Sequence, residues 1–308
     1  MAKEYDRRTE SLRRASVEAE FLPLPDGRSW QKEVEGDVKE FRMLDWRNIA
    51  ELDEVVELQD KVWKMGDRNL VPENILAIIE EVGGEVVTAK SSRGELEGFT
   101  LCLPTNDPER QFLHMVGVQE GSSSRGLGRE LMVITGVVAK EKGVKRVDWT
   151  YDPIMGGNAR LYLSKLGAVP YKYTINKYGI VENKGAGTES RYKNVETDRF
   201  TVRWEIGDER LWRAVLANKA YNMVIDNELE WDGSGETPDL FRVSLPYDFT
   251  HLSTDEMMDW RRHLRGICLA TMDYDNIDDR RVVEGQFEVV GFGVDTVGGV
   301  NCYNFKRK

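Results

Sequence analysis

HMVGVQEGSSSRGLGRELMVITGVVAKEKG, residues His114–Gly143, is the stretch from which the rest of the chain can be read outward. Its first residues belong to a strand, Phe112–Val118. A short polar loop follows, and Arg125-Gly126-Leu127-Gly128 then runs directly into an apolar-periodic helix from about Leu127 to Lys142, with Gly143 as its stop. A helix N-terminus leaves several backbone N–H groups without partners, and the helix dipole adds about half a positive charge there. Strand, loop and helix together therefore predict an anion site that needs no lysine. Gly126 and Gly128 remove side chains that would hold a diphosphate away from the backbone. The segment lacks the Gly-Lys-Ser/Thr ending of a P-loop and the three glycines of a dinucleotide fingerprint.

Working outward, Phe41–Leu44 reads as a strand. Ile49–Trp63 has apolar residues at helical spacing, and Pro72 can open a second helix that Gly83-Gly84 stops. Glu85–Lys90 and Leu96–Leu103 read as strands joined by a turn at Arg93-Gly94. After the long helix come a strand at Arg146–Tyr151, a short helix at Asn158–Leu166 and a strand at Val169–Ile175. Arg199–Glu205 alternates like a strand and Leu211–Ala220 reads as a helix. Beyond a linker at Glu228–Pro238 lie a strand at Phe241–Leu245, a helix around Asp255–Leu269, and strands near Phe287–Phe292 and Val300–Phe305 joined at Gly298-Gly299. The fold class expected is α/β (α+β): a mixed, mostly antiparallel sheet with helices on both faces. Three regions are expected: a charged, loosely docked extension at 1–39, a main domain at 40–227 and a smaller C-terminal α+β unit at 228–308.

The chain has 308 residues, of which 40% are hydrophobic and 31% charged, the composition of a soluble globular protein. No run approaches the roughly 20 apolar residues of a membrane helix. No apolar stretch follows the charged Lys3–Arg14, so no secretory signal is expected. Cys102, Cys268 and Cys302 are scattered and lack metal-ligand spacing, which predicts neither a disulfide framework nor a metal site and favours a reducing, cytoplasmic setting. A net charge of -11 argues against nucleic acid as a partner.

The strand "HMVGV", the loop "SSSRGLG" and the later "GGNARLYLSKLGA" together resemble the GNAT acyltransferase superfamily. "DWTYDPIMGGNARLYLSKLGA", "YTINKYG", "DRFTVRWEI", "FRVSLPYDF" and "DWRRHLRGI" resemble one branch of it that includes succinyl-CoA-dependent N-succinyltransferases of D-amino acids. The resemblance runs from Phe41 to Phe305 and implies a splayed sheet; the strand-helix-strand-strand order of the C-terminal unit leaves open that it is a degenerate echo of the main domain. The resemblance implies acyl-coenzyme A (acetyl-CoA or succinyl-CoA) as co-substrate, with the pyrophosphate on Ser123, Ser124, Arg125, Gly126, Leu127 and Gly128. Ser123 stands where that superfamily usually has Gln or Arg. The resemblance further implies that a main-chain amide between Val116 and Val118 bonds the thioester carbonyl, and that Asn158 touches the cofactor. The position that often carries a thiolate-protonating tyrosine is Leu163, with Tyr162 beside it.

Acyl transfer to an amine needs a base, an oxyanion donor and a proton for the leaving thiolate. His114 has an ordinary pKa suited to a base near neutrality, and a structural histidine is the alternative. Tyr151 and Asp152 end the next strand; Asp152 can face the amine or cap a turn. Arg160 and Arg199 are candidates for a substrate carboxylate, or for surface ion pairs. The expected partner is a small amine or amino acid, with a homodimer left open. Decarboxylase or thioesterase chemistry at the same cofactor site, and non-catalytic acyl-CoA binding, remain as alternatives.

Overall fold

The computed structural model describes residues 2–64, 69–122, 126–180, 195–219, 229–247, 249, 251–276, 281–295 and 300–308. These pack as two units. The first takes the chain up to Asp148 and regains it for Glu205–Ala217; the second holds the described residues of Trp149–Lys184, Glu189–Trp204 and Asn218–Lys308. The Gly298-Gly299 turn lies outside the described residues.

The first unit is a mixed, mostly antiparallel sheet with helices on its two faces. Its strands run β1 (Leu22–Pro23), β2 (Ser29–Val34), β3 (Asp37–Met43), β4 (Glu85–Lys90), β5 (Leu96–Pro104), β6 (Arg110–Val118) and the start of β7 (Arg146–Tyr151), each beside the next. All pairs are antiparallel except β6 with β7, which is parallel. Helix α2 (Ile49–Trp63) and α3 (Glu73–Ile78) cover one face, where Leu52, Val55, Leu58 and Leu76 pack on Val86, Phe99, Leu101 and Met115. The other face carries α4 (Leu127–Glu141), whose Thr135 hydroxyl meets that of Thr100 at 2.7 Å. β4, EVVTAK, is covered on both faces and has five of its residues buried; its buried polar groups are paired, Thr88 with Glu51 at 3.2 Å and Glu85 with Gln111 and Lys142 at 2.8 and 2.7 Å.

Helix α1 (Ala2–Glu18), β1 and β2 occupy the stretch expected as a loosely docked extension. There Phe21 and Trp30 are each 1% exposed, and β2 pairs with β3 along its whole length. The two-residue turn Glu35-Gly36 makes this hairpin possible, with φ of 50° and 81°. The strand was hidden because one face is solvated and charged. Helix α6 (Glu209–Leu216) also belongs to this unit and is capped by the Asp208 carboxylate.

The second unit holds two sheets. In one, β9 (Arg199–Trp204), β8 (Val169–Thr174), β12 (Tyr274–Asn276) and β13 (Arg281–Val283) lie side by side, with β8 and β12 parallel. In the other the order is β10 (Leu229–Glu230), β11 (Leu240–Pro246), β15 (Val300–Arg307), β14 (Phe287–Asp295). Helix α5 (Gly156–Ala159) continues as a π-helical turn, Arg160–Lys165, and α7 (Thr254–Thr271) opens with a Ser253–Glu256 capping box. An aromatic chain forms the core: Trp149, Tyr162, Tyr151, Phe200 and Tyr303 follow one another at centroid distances of 5.1 to 5.9 Å. No helix among the described residues is long and apolar enough to cross a membrane.

Candidate functional site

Strand β6 is irregular on both of its edges: its ladder with β7 ends at Phe112, and its ladder with β5 slips at His114. On the β5 side, β6 advances from Leu113 to Met115 while β5 advances only from Cys102 to Leu101, so His114 is the extra residue of a β-bulge. On the β7 side the ladder has three pairs, ending at Phe112↔Asp148. A bulge bends its strand and re-aims the side chain that it leaves unpaired. His114 is solvent-exposed, and its imidazole has no hydrogen-bond partner among the described residues. Partial desolvation lowers its pKa below the ordinary histidine value.

Beyond the bulge, the main chain faces in directions that one bond fixes. The Gln119 N–H donates to the Glu97 carbonyl at 2.8 Å. Antiparallel strands alternate between bonded and non-bonded pairs, so Gly117 and Met115 also bond to β5. Val116 and Val118 therefore turn their N–H and C=O groups to the opposite edge, where the ladder has already stopped at Phe112.

The loop after β6 leads to the start of α4. Ser123, Ser124 and Arg125 lie outside the described residues. Gly126 is the N-cap, in the left-handed region at φ 80°, with no side-chain cap. Its carbonyl accepts from Arg129 and Glu130, at 3.0 and 3.3 Å. The N–H groups of Gly126, Leu127 and Gly128 find no acceptor among the described residues. A Cβ built on Gly126 would meet nothing within 4 Å, so the backbone there borders open space. Free donors, a helix dipole and no obstructing side chain fit a diphosphate. The second half of β6 and the first turn of α4 thus each carry main-chain donors that have no partner among the described residues.

The remaining expected site residues lie in the second unit. Tyr151 is buried; its hydroxyl meets that of Tyr303 at 3.1 Å, and burial pushes its pKa up. Asp152 is 6% exposed, and the guanidinium of Arg261 grips both its oxygens at 3.1 and 2.8 Å. The Asp152 backbone turn is closed by Ile154 N–H donating to Oδ1 and Met155 N–H donating to the carbonyl. Arg199 stands 3.5 Å from Asp152, donates to the Asp198 carbonyl and lies over the Tyr178 ring. Asn158 is exposed and sits third in α5, whose N-cap is Met155, so capping does not explain it. Arg160 is exposed at the start of the π-helical turn. Tyr162 packs against Trp149 and Tyr151, and burial raises its pKa.

Arg261, which holds Asp152, lies inside the helix expected around Asp255–Leu269 and was not among the expected site residues. A signal existed: Met257, Arg261, Leu264 and Cys268 follow helical spacing, and all four are buried. An arginine on an apolar stripe requires a buried acid to meet it.

No family model matches the sequence, and no curated protein matches it. Among solved structures, the chain is similar to the ribosomal-protein-S18-alanine N-acetyltransferase of Escherichia coli, with 14% identity, 55% of this chain and 94% of that one covered, and a TM-score of 0.42. It is similar to an IAA acetyltransferase of Bacillus cereus, with 17% identity, 54% and 99% coverage and a TM-score of 0.41. It is also similar to a GNAT-family acetyltransferase of Streptococcus pneumoniae, with 14% identity, 54% and 97% coverage and a TM-score of 0.42.

Proposed function

We propose that this chain is an acyl-CoA-dependent N-acyltransferase of the GNAT type, moving an acetyl or succinyl group to the amine of a small molecule such as an amino acid. One observation carries the reading: the strand whose Val116 and Val118 amides face an edge without a ladder is the one that precedes the uncapped first turn of α4, so donors for a thioester and for a diphosphate come from successive elements of the chain.

In this reading the first-turn amides of α4, with the loop before them, bind the pyrophosphate of coenzyme A. A β6 edge amide donates to the thioester carbonyl, and its bond strengthens as the carbonyl becomes an oxyanion. The neutral amine attacks the carbonyl carbon. His114 accepts the proton that the amine nitrogen releases, the C–S bond breaks, and the coenzyme A thiolate takes a proton from solvent. The low pKa of His114 keeps it unprotonated, and able to accept, at neutral pH. Tyr162 is buried among aromatic rings with a raised pKa, so it does not serve as the acid in this scheme. Asp152 holds the turn after β7 through Arg261 rather than taking a proton from the amine.

The test is incubation with acetyl-CoA or succinyl-CoA and a panel of amines, with free thiol as readout. Thiol release that requires the amine supports the proposal. Release without amine points to hydrolysis or decarboxylation, and binding without release to a non-catalytic module; either ends it.

A further inference from the structure

Two glycines on neighbouring strands leave no room for a side chain, and each lies under one half of the proposed site. Gly117 sits between Val116 and Val118. A Cβ there would come within 2.8 Å of Phe99 Cε1 and 2.9 Å of Trp63 Cη2. Phe99 is fully buried and the two rings pack edge to face at 6.0 Å, so neither can turn away freely. Trp63, the last residue of α2, is thus pressed against the strand segment that carries the open amides.

Gly98 pairs across β5 and β6 with Val118 and faces α4. A Cβ there would come within 2.7 Å of Leu131 Cδ1 and 3.1 Å of the Gly117 carbonyl oxygen. Leu131 lies one turn into α4 and is fully buried, so a shift of this leucine passes to the start of the helix. The sheet is therefore pinched from both faces at one level, by Trp63 from the α2 side and by Leu131 from the α4 side.

We propose that Gly117 with Trp63, and Gly98 with Leu131, are two separate positioning pairs: the first sets where the β6 amides stand, the second how closely the first turn of α4 approaches the sheet. The consequence rests on the acyl-transfer reading. Gly117→Ala pushes the strand off Trp63 and misplaces the oxyanion donors. Gly98→Ala presses hardest on Leu131, its nearer contact at 2.7 Å, and so lifts the diphosphate donors, while the Gly117 carbonyl at 3.1 Å has only a few tenths of an ångström to give. One variant loses rate and the other loses cofactor affinity, although both add a single methyl group to neighbouring glycines.

Titration of the full chain with coenzyme A and steady-state kinetics read this split. Gly117→Ala lowers kcat by up to ~100-fold, the scale of an ångström of misplacement, and leaves the coenzyme A Kd within about twofold. Gly98→Ala raises that Kd about tenfold and leaves kcat at saturation within about twofold. Trp63→Phe rescues Gly117→Ala but not Gly98→Ala; Leu131→Val rescues Gly98→Ala but not Gly117→Ala. A role in folding alone would lower Tm in both variants and show no such split. Amide NMR shifts of the ligand-free chain report the same geometry without any reaction: Gly117→Ala moves Val116 and Val118, and Gly98→Ala moves Leu127 to Leu131. If both variants move the same residues, or either cross-rescue works, the proposal falls. If either glycine variant fails to fold, the single variants Trp63→Phe and Leu131→Val decide by their shifts alone. A wild-type chain that ignores coenzyme A while keeping the shift pattern removes the cofactor reading and leaves the positioning pairs standing.

Discussion

His114 and Asp152 both attract a catalytic reading from sequence, yet they sit in opposite conditions. His114 stands on a bulge with its imidazole unengaged among the described residues. Asp152 is buried, with two guanidinium bonds from Arg261 and Arg199 at 3.5 Å. The same contrast separates their surroundings. In the first unit, β6 and α4 carry main-chain donors without partners among the described residues. In the second, Asp198 is held by Arg265, by the Tyr173 hydroxyl and by the Asn176 N–H. A polar group with every valence met holds structure together, and one with valences open is available to a ligand.

The largest effect should come from breaking the ion pair of Asp152 with Arg261. Arg261→Met leaves the Asp152 carboxylate buried without its main counter-charge and should cost about 3–5 kcal/mol, read by denaturant unfolding. Adding Asp152→Leu should recover much of that loss. If Arg261→Met folds as stably as the parent and only slows turnover, the contrast drawn above is wrong. On the open side, His114→Ala should lower kcat by roughly 100-fold with the coenzyme A Kd unchanged, as expected for loss of a general base. An unchanged rate would remove the histidine from the mechanism. Gly126→Val puts a branched side chain at φ 80° and into the open space before α4, so the coenzyme A Kd should rise about tenfold in a calorimetric titration. Normal affinity would contradict a diphosphate at that turn.

The smallest effect is a pH dependence. Desolvation favours neutral His114 in the fold, so between its folded pKa and the ordinary value near 6.5 the unfolded chain binds more protons. Stability from this group is complete above that window and declines as pH falls through it. The rate should have an acid limb with a midpoint below the ordinary histidine value, and His114→Ala should flatten that limb. A midpoint at or above 6.5 would assign the limb to another group.

What could be read from the sequence is what local periodicity encodes. The bounds of α2, β4 and β7 coincide with the expected Ile49–Trp63, Glu85–Lys90 and Arg146–Tyr151, because each has its own apolar rhythm and its own stop signals. The helix start at Leu127, with Gly126 before it, was legible for the same reason. Features that depend on distant partners were not. The three-residue strands β12 and β13 exist through pairing with β8 and with each other. Arg261 finds Asp152 across 109 positions. The bulge at His114 is a mismatch in residue count between two strands, and neither strand shows it alone.

The hairpin at the N-terminal margin of the first sheet has a protective consequence. β1, only two residues long, ends the row, and β2 pairs with β3 from Asp37 to Arg42. A chain trimmed at residue 36 would bare Asp37–Arg42 of β3 as an unshielded template, and such templates recruit copies of themselves. The first sign of that trimming would be self-association and lost solubility, well before any change in catalysis could be measured.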